Sequence, residues 1–160
     1  MKQNFAYAAS AASILCIALA VPAGDAAAQT MKSVAGSYSA VSVPAYGEKP
    51  RGMMILAPDG HYTIVIGRAS LKKIAAGART KATPEEQKMI VDGTIAHYGK
   101  YTIDDGGKSI TFHVAMSTFP NWDGQPQKRV LKVKGDTLTY TVTAPSDGSK
   151  PNDVIWKRIK

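Results

Sequence analysis

The chain has 160 residues, a formal net charge of +8 and a single cysteine, Cys16. This length suffices for one hydrophobic core, and one cysteine excludes an intramolecular disulfide. A positive charge can attract nucleic acid, an anionic surface or acidic small molecules. However, the lysines are scattered along the chain, and no aromatic RNA-binding platform accompanies them. We therefore expect a solvated basic surface and no nucleic-acid partner.

Residues 1–28 have the features of an export signal. Lys2 precedes an apolar run at 11–21, and the alanines at 26–28 then offer an A-x-A cleavage site. The run is too short and too rich in alanine for a good membrane anchor. We expect this segment to be removed. Residues 29–160 would then form one exported domain, periplasmic or secreted, without a membrane span.

After this segment, apolar and polar residues alternate, as they do in β-strands. The pattern predicts a first strand at 33–43 and two further strands within 51–67. Pro58, Asp59 and Gly60 separate these two strands, and an Asp-Gly pair between apolar runs favours a hairpin. The first third of the domain is therefore expected to be all β.

A helix is predicted next. Thr83 can act as its N-cap, with Pro84 at the first helical position and Glu86 completing a capping box. Gly99 can end the helix. The basic, alanine-rich segment before it, 68–82, could be a short helix or a loop.

Strands resume after the helix, each followed by a turn signal. They are predicted at 100–104, 108–116, the second half of 116–134, 137–144 and 153–159. About eight strands with one helical insertion indicate an all-β sandwich or closed barrel. We find no internal repeat and no linker, and therefore expect one domain.

Several stretches resemble a known family. Gly36-Ser37-Tyr38 resembles the G-x-W motif that opens lipocalins, and Trp156-Lys157-Arg158 resembles the end where lipocalins place a basic residue across that aromatic ring. The span 34–159 is similar to the lipocalin-like domain family of bacteria and fungi. The similarity is carried by "RGMMILAPDGHYT", "TPEE", "HYGKYTID" and, most specifically, "HVAMSTFPNWDGQPQKR" at 113–129. This resemblance implies an eight-stranded antiparallel lipocalin-like barrel with a central cavity. It implies no particular activity, because such barrels host carriers and a few cyclases or isomerases.

Arg129 interrupts the apolar face of its strand. If Leu131 faces the barrel interior, Arg129 does so too, because side chains two apart share a face. A buried guanidinium needs a partner. That partner could be internal, such as Asp123, Asp153 or backbone carbonyls, or it could be the acidic group of a ligand, which the planar fork of arginine suits. We expect Arg129 to mark the polar end of a cavity and to be held by a nearby acid when the cavity is empty.

The strand at 108–116 leaves two orientations open. One face carries Ile110, Phe112, Val114 and Met116, and the other carries Thr111, His113, Ala115 and Ser117. If the apolar face fills the barrel, His113 is solvated or packed beneath the helix. If the smaller side chains face inward, His113 can hydrogen-bond a ligand or transfer a proton.

Two further groups bear on a possible site. Phe119 and Trp122 could form a lid over the barrel mouth or a plug that caps the core. His61, His97 and His113 lack metal-ligand spacing, and no nucleotide-binding or nucleophile motif appears. We therefore expect neither a metal nor a cofactor, and we expect His97 to be a core or cap residue.

The leading hypothesis is an exported barrel that binds a small, mostly apolar molecule, which could carry an acidic group. In this hypothesis the entrance is flanked by Phe119 and Trp122, the wall is formed by Tyr62, Phe112 and Tyr140, and the polar contacts come from Arg129 and His113. One alternative is a cyclase or isomerase that uses His113 as its acid-base group. Another is a structural envelope protein with a filled barrel. The sequence leaves monomer and homodimer open.

Overall fold

Eight segments of alternating buried and exposed residues form one closed antiparallel barrel in the computed structural model, which describes residues 28–160. The strands are β1 (Gly36–Ser42), β2 (Arg51–Leu56), β3 (His61–Gly67), β4 (Thr94–Asp104), β5 (Ser109–Ser117), β6 (Pro126–Lys134), β7 (Thr137–Val142) and β8 (Asn152–Arg158). Each strand pairs with the next in sequence, and β8 pairs with β1 to close the barrel. The predicted lipocalin-like barrel is confirmed, whereas the predicted signal lies, except for Ala28, outside the described residues.

Two α-helices accompany the strands, α1 (Met31–Val34) and α2 (Pro84–Gly93). α1 takes the place of the first residues of the strand predicted at 33–43. It forms there because the Thr30 side chain accepts a hydrogen bond from the Ser33 amide at 3.1 Å. The segment at 68–82 is a loop with one 3-10 turn at Arg79–Lys81.

The boundary between α2 and β4 differs from the prediction. The capping box is confirmed, because Thr83 Oγ1 accepts from the Glu86 amide at 3.3 Å and Glu86 Oε2 accepts from the Thr83 amide at 2.9 Å. However, α2 ends at Gly93 rather than at Gly99. Residues 94–100 pair with β3 instead, so a stretch that was expected to be helical completes the backbone ladder of the barrel.

One end of the barrel is closed by an aromatic residue and an arginine. The Tyr38 hydroxyl donates to the Val34 carbonyl at 2.6 Å, and the Arg158 guanidinium lies over the Tyr38 ring, 4.8 Å from its centroid. Gly36 has a φ of +151°, and a Cβ there would collide with Arg158, so the arginine can reach this position only beside glycine. The basic residue that the resemblance implied is therefore Arg158.

Apolar side chains fill the half of the barrel next to this closed end. The completely buried ones include Met54, Leu56, Ile64, Ile110, Leu138 and Trp156. The opposite end is formed by the connections β1–β2, β3–β4, β5–β6 and β7–β8. The inner face changes in character there, and a cavity opens.

Candidate ligand-binding cavity

The open half of the barrel contains a cavity of about 520 Å³, counting its mouth. Its wall is aromatic (Tyr46, Phe112, Trp122, Tyr140) and aliphatic (Val43, Ile66, Ile95, Val142, Val154), and its polar groups include His97, Arg129, Ser146, Asp147 and Asn152. A mostly apolar wall with a few polar groups is typical of sites for small molecules.

Arg129 lies inside this cavity, because β6 alternates as its sequence predicted. The side chain is 4% exposed, and its Cζ lies 5.6 Å from the centroid of the Trp122 ring. Its one hydrogen bond among the described residues is from Nη2 to Gln127 Oε1 at 3.4 Å, and Nε has no partner there. Burial lowers the pKa of Arg129, yet a guanidinium keeps its proton in a protein. The cavity therefore holds a positive charge with almost no compensation.

The acid that we expected beside Arg129 is not there. Within residues 28–160, no carboxylate forms an ion pair with Arg129. Asp123 instead accepts from the Ser117 amide at 2.6 Å, and Asp153 accepts from the Thr141 hydroxyl at 2.6 Å. The expectation of an internal acid was wrong because both candidates hold neighbouring backbone and side-chain groups outside the cavity.

His97 is the second polar residue in the cavity wall, a position that was not predicted for it. It is 7% exposed, and its Nδ1 lies 2.9 Å from the Tyr62 hydroxyl. Burial, reinforced by the positive charge of Arg129, lowers the pKa of His97 to about 4, so the imidazole is neutral at neutral pH. Had β4 been predicted to begin at Thr94, the alternation Ile95, His97, Gly99 would have indicated that His97 faces inward.

Aromatic rings connect these polar groups. Phe112 packs against Tyr62 and Tyr140, with centroid distances of 4.7 and 5.7 Å. Trp122 packs edge-on against His97 at 5.5 Å. Phe112, Trp122 and Tyr140 line the cavity, whereas Tyr62 lies behind His97 and does not line it.

Phe119 and Trp122 have different positions at the mouth. Trp122 lies in the 3-10 turn Pro120–Trp122, is half-buried and forms part of the cavity wall. Phe119 packs edge-on behind it, with centroids 5.7 Å apart, and lines an adjacent groove instead. Ser117 Oγ accepts from the Phe119 amide at 3.0 Å, which braces the loop that carries both rings.

His113 does not belong to the cavity. The buried residues Ile110, Phe112 and Val114 face inward, and His113 is exposed on the outer surface. Its Nε2 lies 3.3 Å from the Thr102 hydroxyl. The prediction that His113 supplies a polar contact to a ligand is therefore corrected. The apolar face of β5 points into the barrel because it buries more hydrophobic surface there.

Metal ligands and membrane-spanning helices can be assessed for the part of the chain that the structure describes. No three His, Cys, Asp or Glu side chains within it are grouped so that they could hold a metal ion. None of its helices is long and apolar enough to span a membrane.

In a comparison with known protein families, residues 30–159 match the lipocalin-like domain. The chain belongs to the lipocalin-like domain family. One protein similar to this chain is the 4′-hydroxy-3′-methoxypropiophenone carrier protein ppsC of Aspergillus oryzae. The two are 32% identical over 86 residues, which cover 48% of this lipocalin-like chain and 78% of the carrier protein. The fold, the family and a related carrier protein thus agree with the presence of a cavity.

Proposed function

We propose that this lipocalin-like barrel is a carrier that binds a small, mostly aromatic molecule with an acidic or oxygen-bearing group at Arg129. The observation that carries this proposal is a buried guanidinium, without a carboxylate partner among the described residues, in an aromatic cavity. The cavity wall supplies the aromatic surroundings, and its lining residues include Phe112, Trp122 and Tyr140. A ligand of this chemistry would pair with the guanidinium and pack against the aromatic wall.

The energetics of a buried charge support this proposal. An uncompensated charge inside a protein is unfavourable, and the cation–π contact with Trp122 and the long bond to Gln127 compensate it only partly. A ligand oxygen that accepts from the guanidinium would relieve this penalty when it binds. Arginine also donates through several N–H groups in a fixed plane, which favours oxygen acceptors of defined orientation.

The related carrier protein supports the aromatic character of the ligand. The ligand in its name, 4′-hydroxy-3′-methoxypropiophenone, is an aromatic ring with a ketone, a hydroxyl and a methoxy group. An aromatic ring suits the aromatic lining of the cavity, and the oxygen atoms of the ketone offer acceptors for Arg129. We therefore take this ketone as the first probe of the cavity.

The two alternative functions have less support. The cyclase or isomerase hypothesis depended on His113 in the cavity, and His113 is exposed on the outer surface. The hypothesis of a filled structural barrel requires a packed interior, and the open half of this barrel contains a cavity.

We also propose that the carrier is exported. Lys2, the apolar run at 11–21 and the alanines at 26–28 support this proposal, and the family match begins just after them, at residue 30. The intact mass of the protein from its own host tests this directly. A mass equal to residues 29–160 is expected, and a mass that includes residues 1–28 would contradict cleavage.

Native mass spectrometry of the same preparation tests the carrier function. We expect an additional mass that disappears on denaturation, or, for protein freed of ligand, saturable binding of 4′-hydroxy-3′-methoxypropiophenone in calorimetry. Arg129→Met should weaken this binding by more than about 100-fold, whereas the matched variant Arg158→Met, at the closed end, should retain it. Equal binding by wild type and Arg129→Met would contradict the role of Arg129.

A further inference from the structure

The Tyr62–His97 pair determines which nitrogen of the imidazole carries the hydrogen. Among residues 28–160, the Tyr62 hydroxyl has one hydrogen-bond partner, His97 Nδ1 at 2.9 Å. Burial raises the pKa of Tyr62 well above its ordinary value, so the hydroxyl keeps its proton and can donate it. When Nδ1 accepts this hydrogen bond, the neutral imidazole carries its own hydrogen on Nε2.

Nε2 is therefore a donor, and within the described residues it has no acceptor. His97 lines the cavity, so this N–H is available to a molecule inside it. A general base at this position would need an unprotonated Nε2, which the hydrogen bond from Tyr62 disfavours. The pair is consequently better suited to binding an oxygen than to removing a proton.

His97 and Arg129 lie against the same indole ring. The His97 ring is 5.5 Å from the Trp122 centroid, and Arg129 Cζ is 5.6 Å from it. Both residues line the cavity, and the charge of Arg129 acts on His97, so the guanidinium and the Nε2–H of His97 are donors in one part of the cavity. A carbonyl or phenolate oxygen has enough lone pairs to accept from both.

We propose that His97 and Arg129 donate together to a single ligand oxygen, an aryl carbonyl or a phenolate, and that Tyr62 is the positioning residue that holds His97 in its donating tautomer. This inference rests on the proposed function and adds the chemical class of the ligand. It implies that the cavity selects against aromatic molecules of the same shape that lack this oxygen.

Matched ligands test this selection. Protein expressed from the full chain is titrated with 4′-hydroxy-3′-methoxypropiophenone, with 2-methoxy-4-propylphenol, which lacks the ketone oxygen, and with 3′-methoxypropiophenone, which lacks the hydroxyl. Loss of the oxygen that the two donors hold should weaken binding by about 100-fold, because two buried donors are left unpaired. The weaker of the two analogues shows whether the carbonyl or the phenolate is held.

Variants of His97 then test its part. His97→Leu removes the donor and should weaken binding of the parent ketone about tenfold. The ratio of the affinities for the parent ketone and for the weaker analogue should fall by the same factor. His97→Gln can place an amide N–H close to the position of Nε2 and should restore most of this preference. Tyr62→Phe should reduce the preference about threefold, because the tautomer is no longer held. Nitrogen-15 NMR of the imidazole should show the proton on Nε2 in the wild type.

The outcomes separate this inference from the proposed function. If the wild type binds none of the three compounds, the proposed function fails for this ligand class, and the inference fails with it. If the wild type binds them in a manner that depends on Arg129 but His97→Leu keeps the full preference, the shared donation is wrong and the carrier function stands. A proton on Nδ1 instead of Nε2 would overturn the role assigned to Tyr62.

Discussion

The barrel has an arginine against an aromatic ring at each end, and the two arginines differ in what else they contact. At the closed end, Arg158 lies 4.8 Å from the Tyr38 ring centroid, and it also donates to the Ala35 carbonyl at 2.5 Å and the Ser33 carbonyl at 2.9 Å. At the open end, Arg129 lies 5.6 Å from the Trp122 ring centroid and donates only to Gln127 at 3.4 Å among the described residues.

This difference separates a structural arginine from a candidate binding arginine. Arg158 is half-buried and joins the last strand to the segment that precedes the first one, so its donors stabilise the closed barrel. Arg129 is more deeply buried and less well paired, a combination that is unfavourable for the empty protein. The comparison predicts that equivalent substitutions at the two ends will affect different properties.

The largest expected effect is on ligand affinity at the open end. Arg129→Met should weaken binding of the aromatic ketone probe by about 3 kcal/mol, more than about 100-fold, because a charged donor to the ligand is lost. The free energy of unfolding should stay the same or rise, since the variant removes a buried charge with little compensation. Calorimetric titration and urea unfolding measure the two quantities. A variant that is less stable and still binds normally would reverse the assignment.

The next effect is the pH dependence of stability that His97 causes at the open end. The pKa of His97 is about 4 in the folded chain, below its ordinary value, so the unfolded chain binds the proton first as the pH falls. The contribution of neutral His97 to the free energy of unfolding should be present above about pH 6.5. As the pH falls, the free energy of unfolding should decrease by about 2 kcal/mol between pH 7 and pH 5. At the closed end, burial raises the pKa of Tyr38 and raises that of Tyr101 to about 12, so neither titrates in this range.

Urea unfolding at several pH values measures this decrease. His97→Gln is the matched control, because it keeps a polar side chain of similar reach but has no group that titrates between pH 4 and pH 7. Its stability should change little over this interval. An equal decrease in the wild type and in His97→Gln would show that His97 is not the group responsible.

A smaller effect is expected from the substitution at the closed end. Arg158→Met should lower the free energy of unfolding by about 1–2 kcal/mol, because the carbonyls of Ser33 and Ala35 lose a charged donor. Affinity for the ketone probe should be unchanged, since Arg158 does not line the cavity. Loss of affinity in a variant that remains folded would show that the two ends are coupled.

The fold was predictable from sequence because its signals are local. The alternation in β2 and β3, the Asp-Gly turn and the Thr83–Glu86 capping box each depend on residues close in the chain. Arg129 was also predictable, because it shares a face with Leu131. The exceptions were α1, which replaces the start of the first predicted strand, and the start of β4, where helix and strand patterns overlap and pairing with β3 decides between them.

The composition of the site was less predictable because it depends on contacts between distant strands. The Tyr62–His97 bond joins β3 to β4, and no spacing in the sequence reveals it. The expected acids Asp123 and Asp153 were plausible partners by type, but each accepts a hydrogen bond elsewhere. On β5, both faces were reasonable until the rest of the barrel showed which one is buried.

The smallest expected effect concerns this last ambiguity. His113→Ala removes an exposed imidazole on the outer face of β5, whose nearest polar contact is the Thr102 hydroxyl at 3.3 Å. Its stability should change by less than about 0.5 kcal/mol, and its affinity for the ketone probe should equal that of the wild type. His97→Leu, measured beside it, should lose about tenfold in affinity. The two variants therefore show which histidine contributes to ligand binding. A loss of affinity only in His113→Ala would mean that the face of β5 with His113 points into the barrel.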